Sequence, residues 1–127
     1  MARVTTLPEM LRPMMGRPSV TLGRCAVCGR TWPLNQHHVV RRGAGRMWLH
    51  GVELAKPTIT LCGNGNASGC HGLAHQNRLH FRWVDRRPNA ADGIVSSAGH
   101  WEYLLCDEPT RYQDALDMDG WRRICAM

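Results

Sequence analysis

Residues 25–43 have the sequence CAVCGRTWPLNQHHVVRRG, a Cys-x-x-Cys knuckle followed closely by an adjacent histidine pair. A second cysteine pair follows within residues 58–75, TITLCGNGNASGCHGLAH. Four thiolates at about 2.3 Å from one Zn²⁺ make a closed structural site, and the energy of binding the ion is also folding energy. We therefore predict one structural zinc ion, held by Cys25, Cys28, Cys62 and Cys70.

The spacing of these residues separates this site from two common zinc modules. A C2H2 finger needs two histidines three to five residues apart, whereas His37 and His38 are adjacent. A zinc ribbon has about 15–20 residues between its cysteine pairs, and residues 29–61 make a longer connection here. Glycines between Cys62 and Cys70 let the chain fold back to the ion. The alternative is that some of these thiols are only buried.

Length and composition exclude several classes of protein. The 127 residues fit one compact domain. The cysteine content, 6 of 127 residues, is below the roughly 8–10% that is typical of disulfide scaffolds. The chain has no run of about 18 apolar residues, and its first 15 residues lack the apolar stretch of a secretory signal. We expect a protein of a reducing cytoplasm, bacterial or of a phage-infected host, with no membrane partner.

The positive charge is concentrated in the middle of the chain. The net charge is +6, and residues 24–87 carry ten basic residues against only two acidic ones, Glu53 and Asp85. Nearly all of the basic residues are arginines, whose planar fork matches phosphate oxygens in pairs. The cysteines and the histidine pair lie in the same segment, which favours a nucleic acid as partner. A solvated basic surface is the alternative.

The pattern of turn residues and apolar residues predicts three parts of the chain. Residues 1–20, rich in proline, are expected to form an irregular arm; residues 21–87 form the core; and residues 88–127 form an extension packed on it. Predicted strands are residues 36–42, 58–61, 100–105 and 121–127. Predicted helices are one capped by Ser68 and running to about residue 80, and one over residues 110–120.

Four histidines are placed as metal or acid–base chemistry needs. His71 and His75 are four residues apart on the predicted helix, so they share one face and can bind one divalent cation. His37 and His38 are on a predicted strand, where alternation sends neighbours to opposite faces. A joint site therefore needs a bend at the end of that strand. The alternative for each pair is an ordinary surface or core position.

The two quoted stretches resemble the HNH endonuclease family, whose core is the ββα-metal fold, or His-Me finger, here in its four-cysteine form. The resemblance covers roughly residues 24–80, and small arginine-rich proteins of this kind are similar to HNH proteins of bacteriophages and prophages. It implies an α+β fold with a small zinc-stapled ββα-metal core. The residue pattern described above adds a short C-terminal strand-helix-strand extension.

The resemblance also implies a role for each histidine. The second member of the pair, His38, corresponds to the general base, and His37 corresponds to a metal ligand. The histidine directly after the last cysteine, His71, is a ligand as well. A ligand four residues further on occurs in some members, which implies His75. The bound ion would be one divalent cation, Mg²⁺, Mn²⁺, Ni²⁺ or Zn²⁺.

The implied activity is metal-dependent hydrolysis of DNA, expected to be double-stranded, by nicking or cutting, with 3′-hydroxyl and 5′-phosphate products. Four arginines flank the histidines and are the predicted phosphate contacts, with plain solvent exposure as the alternative: Arg41, Arg42, Arg46 and Arg78. Phage packaging proteins are further expected partners.

One departure from the family pattern concerns catalysis. The central asparagine of the family lies just ahead of the second strand, where this chain has Pro57. Asn64, Asn66 or the backbone itself would have to take over its orienting role. The alternative is a noncatalytic zinc-stapled nucleic-acid-binding or packaging accessory protein.

Overall fold

The computed structural model describes residues 3–65, 67–86 and 98–124. Within these ranges the chain is a small α+β fold, as predicted, with short helices and three small antiparallel sheets. The strands are β1 (Arg3–Thr5), β2 (Leu34–His38), β3 (Met47–Leu49), β4 (Val52–Glu53), β5 (Thr58–Cys62), β6 (Leu79–Asp85), β7 (Gly99–Leu105) and β8 (Arg122–Arg123); the helices are α1 (Gly69–His75) and α2 (Tyr112–Ala115). No helix in the described ranges has the length and apolar character to cross a bilayer.

Strand β5 is the central strand of the molecule. It pairs antiparallel with β2, with Leu34 opposite Cys62 and His38 opposite Thr58. Val20 bridges to β5 beside Ile59, through backbone bonds to Thr58 and Thr60. Because β5 is covered on both faces, its residues are almost all buried and show no apolar–polar alternation. The register places the cysteines at one end of β2 and the histidine pair at the other.

Helix α1 follows β5 after a short glycine-containing loop, and it is shorter than the sequence predicted. It begins at Gly69, with Ser68 at the N-cap position as predicted, but it ends at His75 rather than near residue 80. Asn77 adopts a left-handed φ of 60°, and the N–H of Arg78 donates to the carbonyl of Leu73 at 3.0 Å. This is a Schellman-type termination. The chain then enters β6, a strand that the sequence analysis missed.

The N-terminal segment is not the irregular arm that its prolines predicted. Strand β1 pairs with β3, and a 3₁₀ helix covers Glu9–Met14. The side chains of Leu7, Met14 and Met15 are buried in the same apolar cluster as the strands of the core. The sequence pattern reflects only the weak local preference of this segment for regular structure. Burial of its apolar side chains offsets that weak preference and stabilises the segment.

The connection from β2 to β5 is also more regular than predicted. The predicted strand over residues 36–42 is β2, Leu34–His38, and a 3₁₀ turn follows at Arg42–Ala44. Strands β3 and β4 then form a hairpin, which the sequence analysis did not identify. These strands have three and two residues, too few for a period of two to be recognised.

The C-terminal part packs on the core through its aromatic residues. Strands β6, β7 and β8 form one sheet, and the rings of Trp83 and Trp101 meet edge to face at 5.4 Å. The indole N–H of Trp101 donates to the carbonyl of Pro18 at 2.7 Å. The predicted helix over residues 110–120 is shorter, α2, and the predicted strand over 121–127 is limited to β8 within the described residues. Residues 125–127 lie outside them.

The loop between β5 and α1 depends on close backbone contact at Gly63. A Cβ at this residue, whose φ is 122°, would lie 1.9 Å from the carbonyl oxygen of Ser68. We predict that Gly63→Ala opens the loop and lowers the melting temperature of the zinc-loaded protein by 10 °C or more, roughly 2–3 kcal/mol. Thermal unfolding followed by circular dichroism measures this.

The matched control is Gly65→Ala in the same loop. Gly65 also has a positive φ, 57°, but a Cβ there meets nothing within 4 Å. Its substitution should cost only about 1 kcal/mol, the ordinary penalty for a left-handed alanine. Equal losses of stability in the two variants would contradict the importance of the close contact.

Candidate functional site

Four cysteines from three separate segments converge on one point. One sulfur from each, of Cys25, Cys28, Cys62 and Cys70, lies within 4.8 Å of the other three. The sulfurs of Cys28 and Cys62 are 3.5 Å apart. Four sulfurs around one tetrahedral zinc ion are separated by roughly 3.8 Å. The cluster therefore has the composition and dimensions of a structural zinc site.

Backbone N–H groups point at the sulfurs of this cluster. The N–H groups of Val27 and Cys28 donate to the sulfur of Cys25 at 3.4 and 3.5 Å, and the N–H of Cys70 donates to the sulfur of Cys62 at 3.4 Å. Such donors stabilise thiolates. A hydrogen bond from the Cys70 thiol, helped by the N–H groups of Cys28 and Val27, lowers the pKa of Cys25 against the opposing effect of burial. The same thiol contact, together with burial, raises the pKa of Cys70. A divalent cation would stabilise all four thiolates together.

We predict that Cys28→Ser abolishes the cysteine metal site and leaves the chain largely unfolded. Cys28 is exposed, so serine there makes no cavity and only the lost ligand can matter. Structural zinc contributes about 10–16 kcal/mol in small domains, as much as the whole stability of most of them. The check is the thiolate-to-metal absorption of cobalt-substituted protein, together with circular dichroism.

The control for this experiment is Cys106→Ala. Cys106 is buried in a second apolar cluster with Leu104 and Ala115, away from the four-cysteine cluster. This variant should lose some stability through the smaller side chain but keep the thiolate-to-cobalt absorption. Full absorption in Cys28→Ser would overturn the four-ligand assignment.

Three histidines form a second cluster beside the first. One ring nitrogen from each of His37, His71 and His75 lies within 4.8 Å of the other two. His37 comes from β2, and the other two come from one face of α1. The Nε2 atoms of His71 and His75 are 3.1 Å apart. Two imidazole nitrogens bound to one metal ion at about 2.0–2.1 Å are separated by roughly 3.0–3.4 Å, so the three histidines fit one cation.

The surroundings of His37 and His71 keep these two side chains neutral. Burial and then the neighbouring imidazoles of His71 and His75 lower the pKa of His37 to about 3. Burial, followed by the neighbouring His75, also lowers the pKa of His71. Neutral imidazole is the form that binds a metal ion. Both side chains are therefore in their metal-binding form at neutral pH.

Asn35 orients the cluster, and the sequence analysis did not single it out. Its side-chain oxygen accepts the N–H of Gly65 at 2.9 Å and lies 3.3 Å from Nδ1 of His71. A hydrogen bond from Nδ1–H to this oxygen leaves Nε2 of His71 with its lone pair toward the cluster. Asn35 and His37 are two residues apart on β2, so strand alternation places them on one face and was the available signal.

His38 lies at the end of β2 and lines the same pocket as the three clustered histidines. It is half-buried and is not part of the three-histidine cluster. The sequence analysis required a bend at the end of this strand. Regular pairing with β5 stops at the His38–Thr58 pair, so a bend there is consistent with the position of His38. The four histidines named from the sequence therefore line one pocket.

The predicted phosphate contacts divide into two groups. Arg41 and Arg42 are exposed and line the pocket. Arg46 lies outside the pocket lining, over the ring of Trp48 and 3.8 Å from the carboxylate of Glu53. Arg78 is also outside it, with its Nε donating to the carbonyl of Cys106 at 3.2 Å. The geometry therefore favours Arg41 and Arg42 as the arginines next to the histidines.

We predict that Asn35→Ala weakens metal binding by the histidine cluster about 10- to 100-fold, because His71 loses its orienting acceptor. The cysteine cluster should keep its zinc. Titration calorimetry with Ni²⁺ on zinc-loaded protein measures the affinity. Asn64→Ala is the matched control, because Asn64 is an exposed asparagine beside Gly65, the loop residue that Asn35 contacts. This variant should bind Ni²⁺ like the unmodified protein. Equal affinities for all three proteins would remove the positioning role of Asn35.

No protein-family model, curated protein or solved structure matches this chain. The geometry of the site itself defines the chemistry that its residues can perform. That geometry comprises a four-cysteine cluster, a three-histidine cluster that can hold a metal such as zinc, and a pocket bordered by His38 and two arginines.

Proposed function

We propose that the protein is a metal-dependent endonuclease of the HNH kind, which hydrolyses phosphodiester bonds in DNA. The observation that carries this proposal is the convergence of His37, His71 and His75 beside His38 in one pocket. A cation site alone would not indicate hydrolysis. A further histidine and two arginines at the same pocket supply the acid–base group and the phosphate contacts that hydrolysis of a diester needs.

The order of elements around the pocket also supports the proposal. Two antiparallel strands, β2 and β5, are followed directly by α1. The candidate base and one metal ligand lie on the first strand, and the other ligands lie on the helix. The HNH family, to which the sequence has a resemblance, distributes its functional residues over a ββα unit in the same order.

The residues would divide the reaction among them as follows. His37, His71 and His75 bind the divalent ion, which when bound supplies positive charge against the scissile phosphate and the leaving oxygen. Arg41 and Arg42 hold the neighbouring phosphate oxygens. His38 accepts a proton from the water that attacks phosphorus, the bond to the 3′ oxygen breaks, and the leaving oxygen takes up a proton from solvent. The products are a 3′-hydroxyl and a 5′-phosphate.

At Pro57, where the HNH family has its central asparagine, a backbone hydrogen bond connects the two strands next to His38. The carbonyl of Pro57 accepts the N–H of Val39 at 3.3 Å, immediately after His38. Of the two asparagines suggested as substitutes, Asn66 lies outside the described residues, and the backbone N–H of Asn64 donates to the hydroxyl of Ser68 at 3.0 Å. We infer that the Pro57 backbone contact positions the chain next to His38 and that the Asn35 side chain positions His71.

The test is cleavage of supercoiled plasmid by zinc-loaded protein with added Mg²⁺, Mn²⁺ or Ni²⁺. We expect metal-dependent nicking, and we expect His38→Asn to reduce its rate at least 100-fold because asparagine cannot accept the proton. The matched control is His50→Asn, an exposed histidine outside the pocket with a left-handed φ of 52° that asparagine tolerates. This control should cut at the normal rate.

Two outcomes would contradict the proposal. Equal cleavage by His38→Asn and His50→Asn would remove His38 as the base. The second outcome is that no metal supports cleavage although the protein still binds DNA. The logarithm of the binding constant would then fall with the logarithm of the salt concentration, with a slope of roughly −0.9 per phosphate contact. This outcome would favour the noncatalytic binding or packaging accessory protein instead.

A further inference from the structure

The pocket that holds the histidines extends well beyond them. Its volume is about 600 Å³, within the range of about 300–1,000 Å³ typical of small-molecule sites. The histidines, Arg41 and Arg42 border one part of it. Most of the rest of the lining is apolar or aromatic, and its larger side chains are those of Pro8, Met10, Leu11, Leu79, Phe81 and Tyr112. Gln36, Asn77 and His80 are the other polar residues of the lining.

This apolar wall is built from parts of the chain that are distant in sequence. Met10 and Leu11 belong to the N-terminal 3₁₀ helix, and Tyr112 begins α2. The Tyr112 hydroxyl donates to the sulfur of Met14 at 3.7 Å, so the polar end of the ring has a hydrogen-bond partner within the protein. A site that only cut phosphates on the outside of a duplex would have no use for such a wall.

A nucleotide has the same division into a charged part and a flat apolar part. If the scissile phosphate binds at the histidines and arginines, the adjoining base can contact the apolar wall, because both lie in the same pocket. Aromatic and apolar side chains bind the faces of bases whatever their sequence. In a paired duplex those faces are stacked on neighbouring bases, so the wall can contact them only when the nucleotide is unstacked.

We propose that the apolar part of the pocket takes one unpaired base next to the scissile phosphate. The substrate is then single-stranded or locally unpaired DNA, in contrast to the duplex expected from the sequence. This inference rests on the proposed nuclease function and deepens it by naming the substrate class.

The first test compares cleavage of three labelled substrates of the same sequence: a single strand, a duplex with a central three-nucleotide bulge, and a fully paired duplex. We expect the single strand and the bulge to be cut at least tenfold faster than the paired duplex, because unpairing costs a few kcal/mol. Equal or faster cutting of the paired duplex would overturn the inference and leave the nuclease function standing.

A small substrate separates this inference from the proposed function. Methyl p-nitrophenyl phosphate is a diester without a nucleobase, so its hydrolysis requires only the histidine and arginine part of the pocket. Hydrolysis that is lost in His38→Asn supports the nuclease function independently of the apolar wall. Absence of hydrolysis of this diester and of all three DNA substrates would overturn the nuclease function and the inference together.

The second test changes the wall alone. Met10 is 39% exposed, so Met10→Ala is expected to fold, and Met118, 42% exposed and outside the pocket, is the matched control. Met10→Ala should raise KM for the single strand about fivefold or more and leave hydrolysis of methyl p-nitrophenyl phosphate unchanged. Met118→Ala should change neither. An unchanged KM in Met10→Ala, or equal losses on both substrates, would overturn the base contact.

Discussion

The convergence of four sulfurs is the constraint on which the rest of this small fold depends. Cys25 and Cys28 come from the knuckle, Cys62 ends β5, and Cys70 lies in the first turn of α1. One ion bound there would fix the knuckle, the central strand and the helix relative to one another. The described strands have two to seven residues and α1 has seven, so none of these elements is long enough to be stable alone.

The register of β2 against β5 transmits that constraint to the histidines. Leu34 lies opposite Cys62 at one end of the pair, and His38 lies opposite Thr58 at the other. The cysteine cluster and the histidine cluster are therefore connected through the β2–β5 pair and through α1, which carries Cys70 and then His71 and His75. Asn35 adds a direct link, because its side chain contacts both the loop after β5 and His71. A change in the geometry of the cysteine cluster would therefore displace the histidines as well.

The pocket is a product of the whole chain rather than of the ββα unit. Its polar side comes from β2, the following turn and α1, and its apolar side comes from the N-terminal 3₁₀ helix, β6 and α2. Met14, the last residue of this 3₁₀ helix, and Met15, the residue after it, are buried and hold the helix against the core. The segments flanking the central unit thus have a role at the site as well as in stability.

The sequence by itself determined the α+β class, the four converging cysteines and four of the histidines that line the pocket, because ligand type and spacing are local properties of the chain. It could not determine the end of α1, which depends on Asn77 adopting a left-handed φ, nor the order in residues 3–20, which comes from burial against distant strands. Only the tertiary structure decided which arginines border the histidines, that Asn35 contacts His71, and that Met10 and Tyr112 share a wall. The contact of Asn35 with His71 and the wall shared by Met10 and Tyr112 join residues far apart in sequence, and no local pattern specifies them.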